Sequence, residues 1–118
     1  MATLILEQQL AQKRENSTNA VSVYSPPANT TVVIKNVTVC NQTGSAATFR
    51  IFIDDNGTTY DENTALYFDE AIAANTTREI NTFWAMNNAD GNLAYRSGTA
   101  NAVTITVFGA EISCVCIH

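Results

Sequence analysis

Asn101-Ala-Val-Thr-Ile-Thr-Val-Phe-Gly-Ala-Glu-Ile-Ser-Cys-Val-Cys-Ile-His118 decides the fold class. Val103, Ile105 and Val107 alternate with Thr104 and Thr106, the period-2 pattern of a half-buried strand. The stretch then carries Val115, Ile117 and two thiols toward the last residue, a pattern expected to be covered by the rest of the fold or by a neighbouring subunit. Working outward, Ala47, Phe49, Ile51 and Ile53 alternate with Thr48, Arg50, Phe52 and Asp54. The first set is expected to face inward and the second, Phe52 included, outward. Thr30 to Asn41 is a β-branched run and reads as a third strand.

The remaining chain divides at turn residues. Ala20–Tyr24 reads as a short strand and Ser25-Pro-Pro-Ala-Asn29 as a turn, since neither proline can donate to a ladder. Thr43-Gly-Ser45 and Asp55-Asn-Gly57 are breaks of the kind that favour positive φ. Thr64–Ile72 and Thr76–Met86 read as strands on either side of Ala73-Ala-Asn75. Asn92–Arg96 follows the turn Asn87-Asn-Ala-Asp-Gly91, and Ser97-Gly98 precedes the final strand, with a bend or bulge expected at Gly109. Pro27-Ala-Asn-Thr-Thr31 and Ala74-Asn-Thr-Thr77 echo each other, which suggests one turn chemistry used twice. About seven or eight short strands without an amphipathic helix predict an all-β antiparallel sandwich or jelly roll.

Residues 1–18 differ. Leu4, Ile5, Leu6 and Leu10 are apolar, and Gln12-Lys-Arg-Glu-Asn-Ser17 is a polar linker. We expect an N-terminal arm over 1–18 that pairs or docks, and a single β-sandwich domain over 19–118.

The 118 residues allow one domain with a real core. Hydrophobic residues make up 46%, but charged residues only 14%, so Thr, Asn and Ser must build the polar surface. A net charge of −5 disfavours a phosphate backbone as partner, so nucleic-acid binding is not expected. No apolar run approaches the roughly 18 residues of a membrane span, and Met1–Glu7 lacks the basic start of a signal peptide. Synthesis in a reducing cytosol is therefore expected. Three cysteines is an odd count, which leaves one thiol free or paired between chains.

The succession from Tyr24-Ser-Pro-Pro-Ala-Asn29 through Val39-Cys-Asn41, then Gly44-Ser-Ala-Ala-Thr-Phe49, Ala73-Ala-Asn-Thr-Thr77 and Gly109-Ala-Glu111 resembles a group of small virion proteins of tailed bacteriophages. The resemblance covers roughly residues 20–112; the N-terminal arm and the Cys-Val-Cys-Ile-His end are not part of its pattern. It implies a β-sandwich structural component of a virion, assembled in the bacterial host cytoplasm. A capsid decoration or cement protein is the leading expectation, and a tail, collar or fibre module the runner-up. The implied partners are the major capsid protein or other virion proteins, with self-association of copies. The family has no catalytic residues to carry over.

Chemistry is weakly signalled. The single histidine, His118, is badly placed for a nucleophilic relay. Asp54, Asp55, Asp61, Glu62, Asp69 and Glu70 read as solvated turn carboxylates rather than a pair in contrasting environments. Cys40, Cys114, Cys116 and His118 compose a possible zinc set, but strand spacing is poor for it. The glycine of Asp54–Glu62 is misplaced for a calcium loop. Neither a metal nor a cofactor is expected, and the Asn-x-Ser/Thr sites read as β-turn composition. Cys40 is expected to be a small buried hydrophobe. A receptor- or carbohydrate-binding module would instead use Tyr60, Tyr67 and Tyr95. Of the adjacent aromatics Phe83 and Trp84, one should be core and the other an interface anchor. The contact candidates are therefore Leu4, Ile5, Leu6, Leu10, Trp84, Cys114, Val115, Cys116 and Ile117.

Overall fold

The structure, a computed structural model, describes residues 2–115. Among them, eight strands succeed one another without a helix: β1 Ala2–Arg14, β2 Val21–Tyr24, β3 Thr30–Asn41, β4 Ala47–Asp54, β5 Ala65–Ile72, β6 Thr76–Met86, β7 Asn92–Ser97 and β8 Val103–Val115. They form two four-stranded sheets, in the orders β1-β8-β3-β6 and β2-β7-β4-β5. β1 pairs with β8, β2 with β7, β3 with β6 and β4 with β5, all antiparallel. The chain is thus one long hairpin whose turn is the loop after Asp54. Rolled up, it is closed by the β3–β8 and β4–β7 ladders. This is a jelly roll.

Alternation places the core between the sheets. Val32, Ile34, Val37 and Val39 of β3 face Phe49 and Ile51 of β4, Leu93 and Tyr95 of β7, and Val103, Ile105 and Val107 of β8 join them. One expectation about β4 is corrected. Phe52 is 1% exposed rather than outward-facing, because Tyr60 of the β4–β5 loop folds back over it at 6.2 Å between ring centroids. Ile53 is half-buried and packs against the core, on the inward face expected of it.

The echoing turns do share a conformation. Asn29 and Asn75 take φ of 57° and 54°, and Asn101 takes 62°, the left-handed region that asparagine tolerates. Asn41, fully buried, holds one end of the sandwich. Its Nδ2 donates to the carbonyls of Ser45, Ile72 and Ala73, and its Oδ1 accepts from the Thr43 backbone and hydroxyl. Tyr95 ties the sheets from within, donating to the Val103 carbonyl at 3.0 Å and accepting from the Glu15 amide at 2.6 Å.

Gly109 marks an irregularity that lies on its neighbours. β1 inserts an extra residue, Leu10, opposite Phe108–Val107, and β3 another, Lys35, opposite Gly109–Phe108. A Cβ on Gly109 would stand 2.1 Å from the Val33 carbonyl oxygen and 3.1 Å from Leu10 Cδ1. The missing side chain therefore lets β3 close in and Leu10 pack against the core.

Gly109→Ala should lower stability by about 1–3 kcal/mol or more, because the obstruction is backbone and cannot swing away. Ile105→Ala should cost about 2–5 kcal/mol through its cavity. Urea unfolding followed by tryptophan fluorescence measures both; unchanged midpoints would show that these packing assignments are wrong.

Candidate assembly surface

Strand lengths make the two sheets unequal. Strands of 11–13 residues build the first sheet and strands of 4–8 residues the second. At about 3.3 Å per residue the first sheet runs some 15 Å further. The excess projects where the start of β1 lies against the end of β8. Leu4 is level with Ser113, Ile5 with Ile112 and Leu6 with Glu111. Tyr24, the last residue of β2, marks the limit of cover by donating its hydroxyl to Glu111. Gln8 Nε2 donates to the same carboxylate at 3.1 Å. Burial, and then the bond to Glu111, push the Tyr24 phenol well above its ordinary value.

Leu4 and Leu6 are consequently 43% and 45% exposed on the inner side of the projecting ladder, and Ile5 is 59% exposed on the outer side. The outer face of the first sheet continues this apolar surface through Ile112, Phe108 and Phe83, the last 74% exposed. A shallow depression of about 310 Å³ lies there, lined by Glu7, Gln8, Gln9, Lys35, Phe108 and Gly109. Lys35 reaches over β8 to pair with Glu7, and that bond holds the Glu7 carboxyl below its ordinary value.

The sequence candidates separate on this frame. Leu4, Ile5 and Leu6 come together on the projecting edge, whereas Leu10 turns inward against the core. Trp84 is half-buried, packed on Tyr67 at 6.4 Å, so Phe83 is the exposed member of the aromatic pair. Alternation with buried Ile80 and Met86 carries that distinction, since Phe83 has the opposite parity. The backbones of Cys114 and Val115 pair with Thr3 and Ala2. Their side chains, together with Cys116, Ile117 and His118, lie outside the described residues.

Other expectations are corrected. Cys40 is half-buried on the outer face, level with Thr104. Cys114 is ten positions further along β8, roughly 33 Å away, so the two cannot share a zinc ion. Among the described residues no three His, Cys, Asp or Glu side chains converge as metal ligands. Tyr95 is fully buried, Tyr60 covers Phe52, and Tyr67 packs on Phe49 at 6.1 Å, so these tyrosines do not form a sugar-binding platform.

Charged groups mostly stabilise local geometry. Arg50 binds Asp69 through Nε at 2.6 Å and Nη2 at 3.0 Å while stacking 3.8 Å over Phe68. Asp69, at φ 52°, is a bulge in β5, and the Arg50 bond lowers its carboxyl pKa. The Thr59 and Asn56 amides do the same for Asp54, which closes the β4–β5 loop instead of offering its oxygens outward.

No protein-family model matches this chain, and no curated protein sequence matches it. Solved structures share its fold. A chain of the T13 infectious bursal disease virus particle superposes with a TM-score of 0.54 at 10% identity, over 93% of this chain and 30% of that one. A chain in the structure of the Gx strain of infectious bursal disease virus gives 0.52 at 7% identity, over 94% and 31%. The VP2 subviral particle of the same virus gives 0.52 at 12%, over 93% and 32%. At such identities the likeness is one of fold. This chain spans about a third of the length of each, the part that forms a jelly roll.

Lowered carboxyl values fix the sign of the acid response. Asp54 and Asp69 start from 3.8 and Glu7 from 4.5, and each binds its proton less tightly in the folded chain. Their contribution is complete above those ordinary values and is lost as pH falls through the lower folded ones. The urea midpoint should therefore fall below pH of about 4.5, and Asp69→Asn should flatten part of that fall. An unchanged acid profile in the variant would show that the Arg50–Asp69 pair contributes nothing.

Proposed function

We propose that the chain is a structural component of a virus particle, and that it decorates or cements the capsid of a tailed bacteriophage. The observation that carries this reading is the projecting, apolar edge of a jelly roll, where Leu4, Ile5 and Leu6 stand exposed in sequence. A monomer gains nothing from exposing three consecutive large aliphatics on a strand edge, whereas a subunit covers them on contact. The viral particles that share the fold, and the resemblance over residues 20–112, point the same way. Many weak contacts of this kind add up across a shell of identical sites. The partner under this reading is the major capsid protein or another virion protein, a second copy of this chain included, with the start of β1 and the end of β8 as the contact.

Quantitative mass spectrometry of purified particles tests the assignment. A decoration protein should be present in a fixed ratio to the major capsid protein, and particles lacking it should lose their shell at lower temperature. A few copies per particle would move the role to the tail, collar or fibre. Its absence from particles would remove the virion reading. Leu6→Lys, which places a charge on the contact while leaving the core untouched, should reduce occupancy at least about tenfold. Undiminished binding would exclude this edge as the contact.

A further inference from the structure

We infer that the exposed edge of β1 pairs with the same edge of a second copy, so that two first sheets join into one continuous eight-stranded sheet about a two-fold axis at Ile5. Among the described residues β1 is hydrogen-bonded to β8 on one side only, and its other side is the sheet edge along 13 residues. Backbone donors and acceptors on such an edge recruit another strand unless something blocks it. The other edges carry blocks or little to offer. β2 has four residues. β5 is broken by the Asp69 bulge and carries Asp69 and Glu70. β6 carries Arg78 and Glu79, and its inward side chains Ile80 and Met86 are already buried. In β1 the second half is guarded by the Leu10 bulge, Lys13 and Arg14. The first half, Ala2–Leu6, has no charge, proline or bulge.

Charge does not oppose a like partner at this place. Copies of a chain with net charge −5 repel each other over most approaches. Here both nearby acids are engaged within the copy: Glu7 is bound by Lys35 and drawn in over the sheet, and Glu111, level with Leu6, accepts from the Tyr24 hydroxyl and from Gln8 Nε2. The acidic β4–β5 loop lies toward β5, the edge of the second sheet away from β2.

Side-chain parity selects the register. Residues directly opposite in an antiparallel pair share a face. Self-pairing therefore sets Leu4, Ile5 or Leu6 opposite its own copy, and no register lies between these. Centring on Leu6 puts Glu7 against Ile5. Centring on Leu4 leaves Leu6 against Ala2. Centring on Ile5 puts Ile5 against Ile5 on the outer face, Leu4 against Leu6 on the inner face, and Glu7 against Thr3. That register covers all six exposed aliphatics of the two copies, and the two-fold closes the assembly at a dimer.

The inference names the partner for the edge used in the assembly reading, yet it fails separately from that reading. Particle copy number decides one, and association of the purified chain decides the other. Sedimentation velocity of the full chain in reducing buffer should show a concentration-dependent monomer–dimer equilibrium. Ile5→Lys sets two ammonium groups face to face and should weaken the dimer at least about tenfold, with an unchanged thermal midpoint for the monomer. Register is read separately by cross-linking in a Cys40→Ser, Cys114→Ser, Cys116→Ser background. Ile5→Cys should form an interchain disulfide on mild oxidation and Gln9→Cys should not, since only position 5 meets its own copy at bridging distance. A monomer at all concentrations, a dimer indifferent to Ile5→Lys, or equal cross-linking at positions 5 and 9 would overturn the inference. So would an open-ended series of oligomers, which would mean head-to-tail pairing of β1 with another edge.

Discussion

β8 carries hydrogen bonds on both sides, to β1 and to β3, and both neighbours change register within one residue of each other, on either side of Phe108. That coincidence is possible because residue 109 has no side chain. With the Val33 carbonyl 2.1 Å from where a Cβ would stand, any other residue would push β3 away from β8. The consequences run outward from this point. On one side the extra residue, Leu10, turns into the core and fixes the second half of β1 to the sandwich. On the other the extra residue, Lys35, reaches over β8 and captures Glu7. Bulges increase local twist and re-aim the strand beyond them. Here they separate a half of β1 that belongs to the core from a half that projects beyond it.

The strands were legible in the sequence because alternation and turn residues are local signals. Thr30–Asn41 ends before Gly44-Ser45, Ala47–Asp54 ends before Asn56-Gly57, and Thr76–Met86 starts within Ala74-Asn-Thr-Thr77. What was not legible depends on long-range partners. Phe52 has outward parity, and only the return of Tyr60 from the following loop buries it. Leu4–Leu6 shows no alternation, so nothing local announces that it pairs with Glu111–Ser113 more than a hundred residues away. Trp84 was the natural anchor by residue type, but parity relative to Ile80 turns it inward and leaves Phe83 outside. Among the exposed contact candidates, Leu4, Ile5 and Leu6 were therefore readable as apolar and unplaced, while the edge that unites them was not.

The polar residues explain why contact, more than chemistry, is what this surface has to offer. Among the described residues no buried side-chain nitrogen or oxygen lacks a hydrogen-bond partner. Asn41 spends its whole amide on the β3–β4 turn and the end of β5, and Tyr95 spends its hydroxyl on β8 and the chain after β1. Asp54, the acid best placed to bind a cation, is occupied by backbone amides. Such saturated buried groups stiffen a scaffold. The unsatisfied groups are of another kind, namely aliphatic side chains and the outward backbone of an edge strand.

Those two kinds of unsatisfied group coincide on the same five residues, and this is difficult to attribute to folding needs. Core stability is supplied by the ladder from Ala11–Val107 to Arg14–Thr104 and by β3, so ending β1 near Gln8 would leave the sandwich closed. A lysine at any of positions 3–6 would protect the edge at little cost, which is how solitary sheets avoid unwanted pairing. The chain instead keeps Thr-Leu-Ile-Leu there, and the two nearby acids are engaged from within, Glu7 by Lys35 and Glu111 by Tyr24 and Gln8. A bulge that anchors half of a strand thereby leaves the other half projecting with its edge open. Under the pairing we infer, the same glycine that closes the core also sets where the molecule would meet another chain.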